Sequence, residues 1–130
     1  MKYERFYVES KEGKSNCVIR SFCKLYNSTY GKVSNELLSI SKELNCNFND
    51  IEVFETFMKR RDTLKIDYGE NIKVKDLKLD DGNYIVFCYD KKDFYHMVTI
   101  MDGVIYDKNE DSLELYTISV YKQNALTKKK

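Results

Sequence analysis

The chain has 130 residues, enough for one domain, and its 42% hydrophobic content can bury a core without disulfides or a metal ion. Its 22 basic and 21 acidic residues nearly cancel, which argues against nucleic acid or a membrane as partner. Four cysteines occur without any C-x-x-C pair, so we expect no metal and no cofactor. The first residues lack the apolar core of a signal peptide, and we therefore expect a cytoplasmic protein with reduced thiols.

The first half of the chain predicts mainly helices. Residues 3–8 form either a short strand or an extended arm. Apolar side chains then recur at helical spacing in three segments. These run from Ser15 or Asn16 to about Gly31, from Ser34 to about Asn45, and from Asn49 to about Arg61.

The second half predicts strands, over about 64–68, 84–89, 94–101, 104–107 and 113–121. Between two of them, Asp102-Gly103 is typical of a two-residue hairpin turn. Helices followed by strands predict an α+β fold, with a helical part of about 15–61 packed on one side of an antiparallel sheet of about 64–121. We expect a disordered tail over about 124–130.

Cys17 is predicted to lie at the start of the first helix, directly after the two possible capping residues. Unpaired amides and the partial positive charge of a helix N-terminus favour a thiolate, which is the reactive form of cysteine. None of the other cysteines (Cys23, Cys46 and Cys88) has such a position. Cys17 is therefore a candidate nucleophile, the alternative being a thiol that only packs in the helix.

His96, the single histidine of the chain, lies in the strand before the Asp102-Gly103 turn. With two residues in the turn, strand alternation places His96, Asp107 and Asn109 on one face of the sheet. Asp107 is then the diagonal neighbour of His96, and Asn109 lies directly opposite. The pattern predicts an acid that orients a general base, with Asn109 as the alternative orienting residue.

This combination resembles the compact single-domain papain-like cysteine peptidases of bacteria and phages. Such enzymes carry an acid or amide followed by Cys-x-x-Arg at a helix start, here Asn16 to Arg20. They also carry a histidine strand whose D-G hairpin leads to an aspartate, here His96 to Asp107. The resemblance implies a papain-like fold that hydrolyses peptide or amide bonds through an acyl-thioester on Cys17. His96 would be the general base and Asp107 its orienting residue.

The sequence departs from the papain-like pattern where the oxyanion would bind. The usual glutamine before the nucleophile is missing, and Lys11 stands near its place. Asn16 or Ser15 is the candidate replacement, together with the Cys17 backbone amide. Arg20 is expected to pair with a carboxylate.

Two further functions remain open. An acyltransferase or transglutaminase-like enzyme would use the same three catalytic residues. A non-catalytic protein-binding module would use none of them. The 11 tyrosines and 7 phenylalanines would suit a binding face as well as a core. The expected partner is a protein or peptide substrate, whose identity and cleavage specificity the sequence leaves open, as it does the oligomeric state.

Overall fold

The computed structural model describes residues 1–124 and has an α+β fold, as predicted. Its helices are α1 (Cys17–Tyr26), α2 (Tyr30–Leu44) and α3 (Ile51–Lys59). Its strands are β1 (Lys2–Arg5), β2 (Thr63–Ile66), β3 (Asn83–Tyr89), β4 (Tyr95–Met101), β5 (Val104–Asp107) and β6 (Tyr116–Gln123). Within residues 1–124, none of the helices has the length and apolar character needed to cross a membrane.

The boundary between α1 and α2 lies earlier in the chain than predicted. Asn27 adopts a left-handed conformation (φ 53°) and ends α1, and its backbone N–H donates to the Cys23 carbonyl. The Thr29 side chain then caps α2, so that Gly31 lies inside a helix. The predicted stop at Gly31 was wrong because asparagine can also take the left-handed conformation.

The six strands form one mixed sheet in the order β1-β5-β4-β3-β6-β2. The predicted antiparallel sheet requires a correction, because β1 pairs with β5 in parallel. The two strands are separated by most of the chain, so no hairpin fixes their relative direction. The segment that was either a strand or an extended arm is thus an edge strand, and it supports β5 on the side opposite β4.

The hairpin between β4 and β5 has the predicted two-residue turn. Asp102 and Gly103 both have positive φ, 50° and 82°, as a type I′ turn requires. The turn pairs Met101 with Val104 and Thr99 with Tyr106. This register brings the end of β5 close to the beginning of β4, where His96 lies.

The helices cover one face of the sheet, and short 3-10 segments cover the other. Buried side chains of all three helices pack with Ile85, Met97 and Tyr121 from the sheet. On the opposite face, Val74–Asp76 and Glu110–Glu114 form single 3-10 turns, whose apolar residues pack in a second cluster.

Helix α1 is joined directly to β4. Ser21 Oγ donates to the Met97 carbonyl at 2.9 Å, and Thr99 Oγ1 donates to the Ser21 carbonyl at 2.8 Å. The pairing of β4 with β5 begins only at Thr99, so the first residues of β4 have no partner in β5. These bonds therefore place the N-terminus of α1 beside the start of β4.

The C-terminal boundaries differ slightly from those predicted. Leu113 belongs to the 3-10 turn Glu110–Glu114 instead of the last strand, which begins at Tyr116 and extends to Gln123. Asn124, at the predicted start of the tail, donates its backbone N–H to the Asp62 carbonyl at 2.7 Å. The rest of the predicted tail, 125–130, lies outside the described residues.

Candidate active site

Cys17 is the first residue of α1, as the capping pattern indicated. Of the two predicted caps, Asn16 is the one used: its Oδ1 accepts from the backbone N–H of Val18 at 2.8 Å and of Ile19 at 3.1 Å. The cap fixes the first turn of the helix, and with it the direction of the Cys17 side chain.

His96 joins Cys17 and Asp107. Its Nε2 lies 2.8 Å from Asp107 Oδ2, the diagonal contact that the hairpin register predicted. The imidazole also lies close enough to the Cys17 thiol for the two groups to shift each other's pKa. Because Asp107 occupies Nε2, Nδ1 is the ring nitrogen that is left for Cys17. His96 thus lies between the other two candidate catalytic residues.

The pKa values of Cys17 and His96 are shifted in opposite directions. Burial alone would raise the pKa of Cys17, but the hydrogen bond and charge of His96, the Met97 backbone N–H and the charge of Arg20 lower it. Burial would likewise lower the pKa of His96, but Asp107 and Cys17 raise it to about 9. Each shift favours a thiolate beside an imidazolium at neutral pH.

Both the side chain and the backbone carbonyl of Asp107 accept hydrogen bonds. Its side chain is 2% exposed, and Arg20 Nη2 donates to Oδ1 at 3.0 Å. Burial alone would raise the pKa of this carboxyl, but the hydrogen bond and charge of His96 and the hydroxyl of Ser112 lower it. The backbone carbonyl accepts from Tyr3 Oη and from the Phe6 N–H, each at 2.9 Å.

The other three cysteines lack these features. Cys23 and Cys88 are buried, and burial raises the pKa of both thiols, to about 11 for Cys23. Cys46 is partly exposed like Cys17, but burial and the nearby charges of Glu52 and Asp50 raise its pKa. Cys46 is therefore an internal reference, an accessible thiol in an environment that disfavours the thiolate.

The triad opens into a cleft of about 400 Å³, which all the candidate site residues line. Ser15, a candidate for the oxyanion site, is exposed at this cleft. Asn109, the alternative orienting residue, is also exposed there, and its side chain does not cap the 3-10 turn that follows. In this structure the contact with His96 Nε2 is made by Asp107.

Three contacts at the site were not found by sequence reasoning. The Phe94 ring stacks on the His96 ring, with 5.5 Å between centroids, although Phe94 is 52% exposed. The Met97 backbone N–H lies near Cys17 and lowers its pKa, and Asp107 is the carboxylate that pairs with Arg20. The two-residue spacing of Phe94 and His96 could have placed both on one face of the sheet, whereas the other two contacts depend on how α1 packs on β4 and β5.

A second group of possible metal ligands lies away from the cleft. Among the described residues, Cys46, Asp50 and Glu52 bring three ligand atoms within 4.8 Å of one another. Cys46 Sγ lies 3.7 Å from Glu52 Oε1. This contact is the one that a protonated thiol makes with a carboxylate.

Comparison with known proteins gives no relative for this chain: no family model, no curated protein and no solved structure matches it.

Proposed function

We propose that this protein is a cysteine peptidase or amidase of papain-like type, with Cys17 as nucleophile, His96 as general base and Asp107 as orienting residue. The observation that carries the proposal is the 2.8 Å contact between His96 Nε2 and Asp107 Oδ2, with Cys17 beside the same imidazole at the wall of an open cleft. A nucleophile, a base within hydrogen-bond reach and a third group that orients the base are the components of acyl-transfer sites. The free thiols of the described chain suit the cytoplasm, where we place this activity.

The geometry suggests how each step would proceed. The Cys17 thiolate attacks the substrate carbonyl, and the imidazolium of His96 gives the Nδ1 proton to the leaving amine. The acyl group remains on sulfur as a thioester. Neutral His96 then takes a proton from water, whose oxygen attacks the thioester and releases the acid. Through both steps Asp107 holds the Nε2 proton and stabilises the imidazolium.

The oxyanion formed in each step needs hydrogen-bond donors near Cys17. Asn16 lines the cleft, and its amide oxygen is already bound to two backbone N–H groups. Its amide nitrogen takes no part in the cap, and we propose this nitrogen and the Cys17 backbone N–H as the two donors. Asn16 would then have two roles: its amide oxygen caps the helix, and its amide nitrogen binds the oxyanion.

The Asn16→Ser variant should separate these roles. Serine is as good a helix cap as asparagine, so we expect the melting temperature and the alkylation of Cys17 to be nearly unchanged. Turnover should fall by about 10²–10³ in kcat, because one oxyanion donor is lost. Steady-state kinetics and thermal unfolding measure the two effects. An unchanged kcat would exclude the Asn16 side chain from the oxyanion site.

The proposed function is tested with a peptide mixture of diverse sequence and mass spectrometry of the products. Wild type should create new carboxyl termini, Cys17→Ser should create none, and the matched variant Cys46→Ser should behave like wild type. Absence of new termini with folded wild type would contradict hydrolysis. Amide-linked products formed only when a primary amine is added would instead indicate an acyltransferase.

A further inference from the structure

Arg20 is a charged residue in an unusual place. It lies one helical turn after Cys17, and its side chain is only 6% exposed. Burial of a guanidinium is costly, and Nε of Arg20 has no hydrogen-bond partner among the residues that the structure describes. The ion pair that Arg20 makes with Asp107 offsets part of this cost.

That contact fixes the carboxylate of Asp107. Arg20 Nη2 donates to Oδ1 at 3.0 Å, and His96 Nε2 lies 2.8 Å from Oδ2. Rotation of a carboxylate about its terminal bond is otherwise weakly restricted. With one oxygen bound to the rigid helix α1, the second oxygen is directed at the histidine.

We propose that Arg20 is a positioning residue for the peptidase reaction, which orients Asp107 and through it turns His96 Nδ1 toward Cys17. The inference rests on the proposed function, since it adds a fourth residue to that site. Cys17 and Arg20 lie on the same turn of α1. That turn therefore carries the nucleophile and, through Asp107, orients the imidazole of His96. Arg20 acts through its neighbours and does not touch the reacting atoms.

A positioning role makes the thiol chemistry depend on Arg20. The charge of Arg20 is one of the causes that lower the pKa of Cys17, and a misdirected imidazole would remove a larger one. A residue that only held the fold together would change stability and leave the titration of Cys17 where it is. The pH dependence of Cys17 alkylation therefore separates the two roles.

The experiment measures iodoacetamide alkylation of Cys17 against pH in wild type, Arg20→Lys and Arg20→Met. For Arg20→Met we expect the curve to move to higher pH, with a roughly tenfold lower rate at about pH 6. Arg20→Lys keeps the charge and should restore most of that rate. Should Arg20→Met not fold, Arg20→Gln replaces it, since glutamine keeps a donor and lacks the charge.

Arg61→Met is the matched control, because Arg61 also pairs with a carboxylate, Glu36, outside the cleft. Its alkylation curve should coincide with that of wild type. An unchanged curve in Arg20→Met or Arg20→Gln would overturn the proposal, whatever happens to the melting temperature. Alkylation needs no substrate, so a shifted curve without peptide hydrolysis would contradict only the proposed function. Hydrolysis with an unshifted curve would contradict only the role of Arg20.

Discussion

Replacing His96 by alanine is expected to lower turnover by about 10⁴, the upper end of what a general acid–base group contributes. The substitution removes the base and also the main cause of the lowered pKa of Cys17. Alkylation of Cys17 should therefore slow at about pH 6, below the ordinary thiol pKa of about 8.5. Kinetics and alkylation are measured on the same preparation.

The stability and the activity of wild type should both depend on the charge of His96. The folded-state pKa of His96 is raised from 6.5 to about 9, so the charged imidazole stabilises the fold fully below its ordinary pKa. That contribution, and the activity that needs the imidazolium, should be lost as the pH rises through about 9. A large drop in melting temperature on His96→Ala, with the reactivity of Cys17 unchanged, would instead reveal a structural histidine.

Replacing Asp107 by alanine should abolish turnover and also destabilise the protein. The carboxylate is bound to His96 and Arg20 and is 2% exposed. Its removal leaves the guanidinium of Arg20 buried without a partner, which costs about 3–5 kcal/mol. Denaturant unfolding and steady-state kinetics measure the two losses.

Two controls separate stability from catalysis at Asp107. In the double variant Arg20→Met with Asp107→Leu, apolar groups replace the Arg20–Asp107 pair, so stability should recover in part, short of the bond to His96, while activity stays absent. Asn109→Ala changes an exposed residue of the same cleft and should alter stability by no more than about 0.5 kcal/mol, with a much smaller loss of turnover. If Asn109→Ala proves the more costly change for turnover, the orienting residue is an amide and Asp107 has been misassigned.

The part of the site that the sequence predicted is the part fixed by local geometry. A D-G turn of two residues sets the register of its hairpin, and strand alternation then places His96 and Asp107 on one face. Helix capping likewise located Cys17, because Asn16 offers an acceptor to the first free amides. Each of these inferences spans only a few residues of chain.

The remaining features depend on long-range packing. The parallel pairing of β1 with β5 joins residues about a hundred positions apart, and no local pattern encodes it. The partner of Arg20 is fixed only when α1 packs beside the start of β4. The predicted end of α1 was wrong for a local reason, because Asn27 and Gly31 can both take the left-handed conformation that ends a helix, and the chain uses Asn27.

Whether Cys17 carries the acyl group can be read from the reaction with an activated acetyl ester, p-nitrophenyl acetate. The protein is quenched during turnover, and the acetylated cysteine is identified by peptide mass mapping. We expect an acetyl group on Cys17 of wild type, turnover beyond one equivalent, and little acetylation of Cys46, although both thiols are partly exposed. Equal acetylation of Cys17 and Cys46, or none on Cys17 with the fold intact, would contradict the assignment of Cys17 as an activated nucleophile.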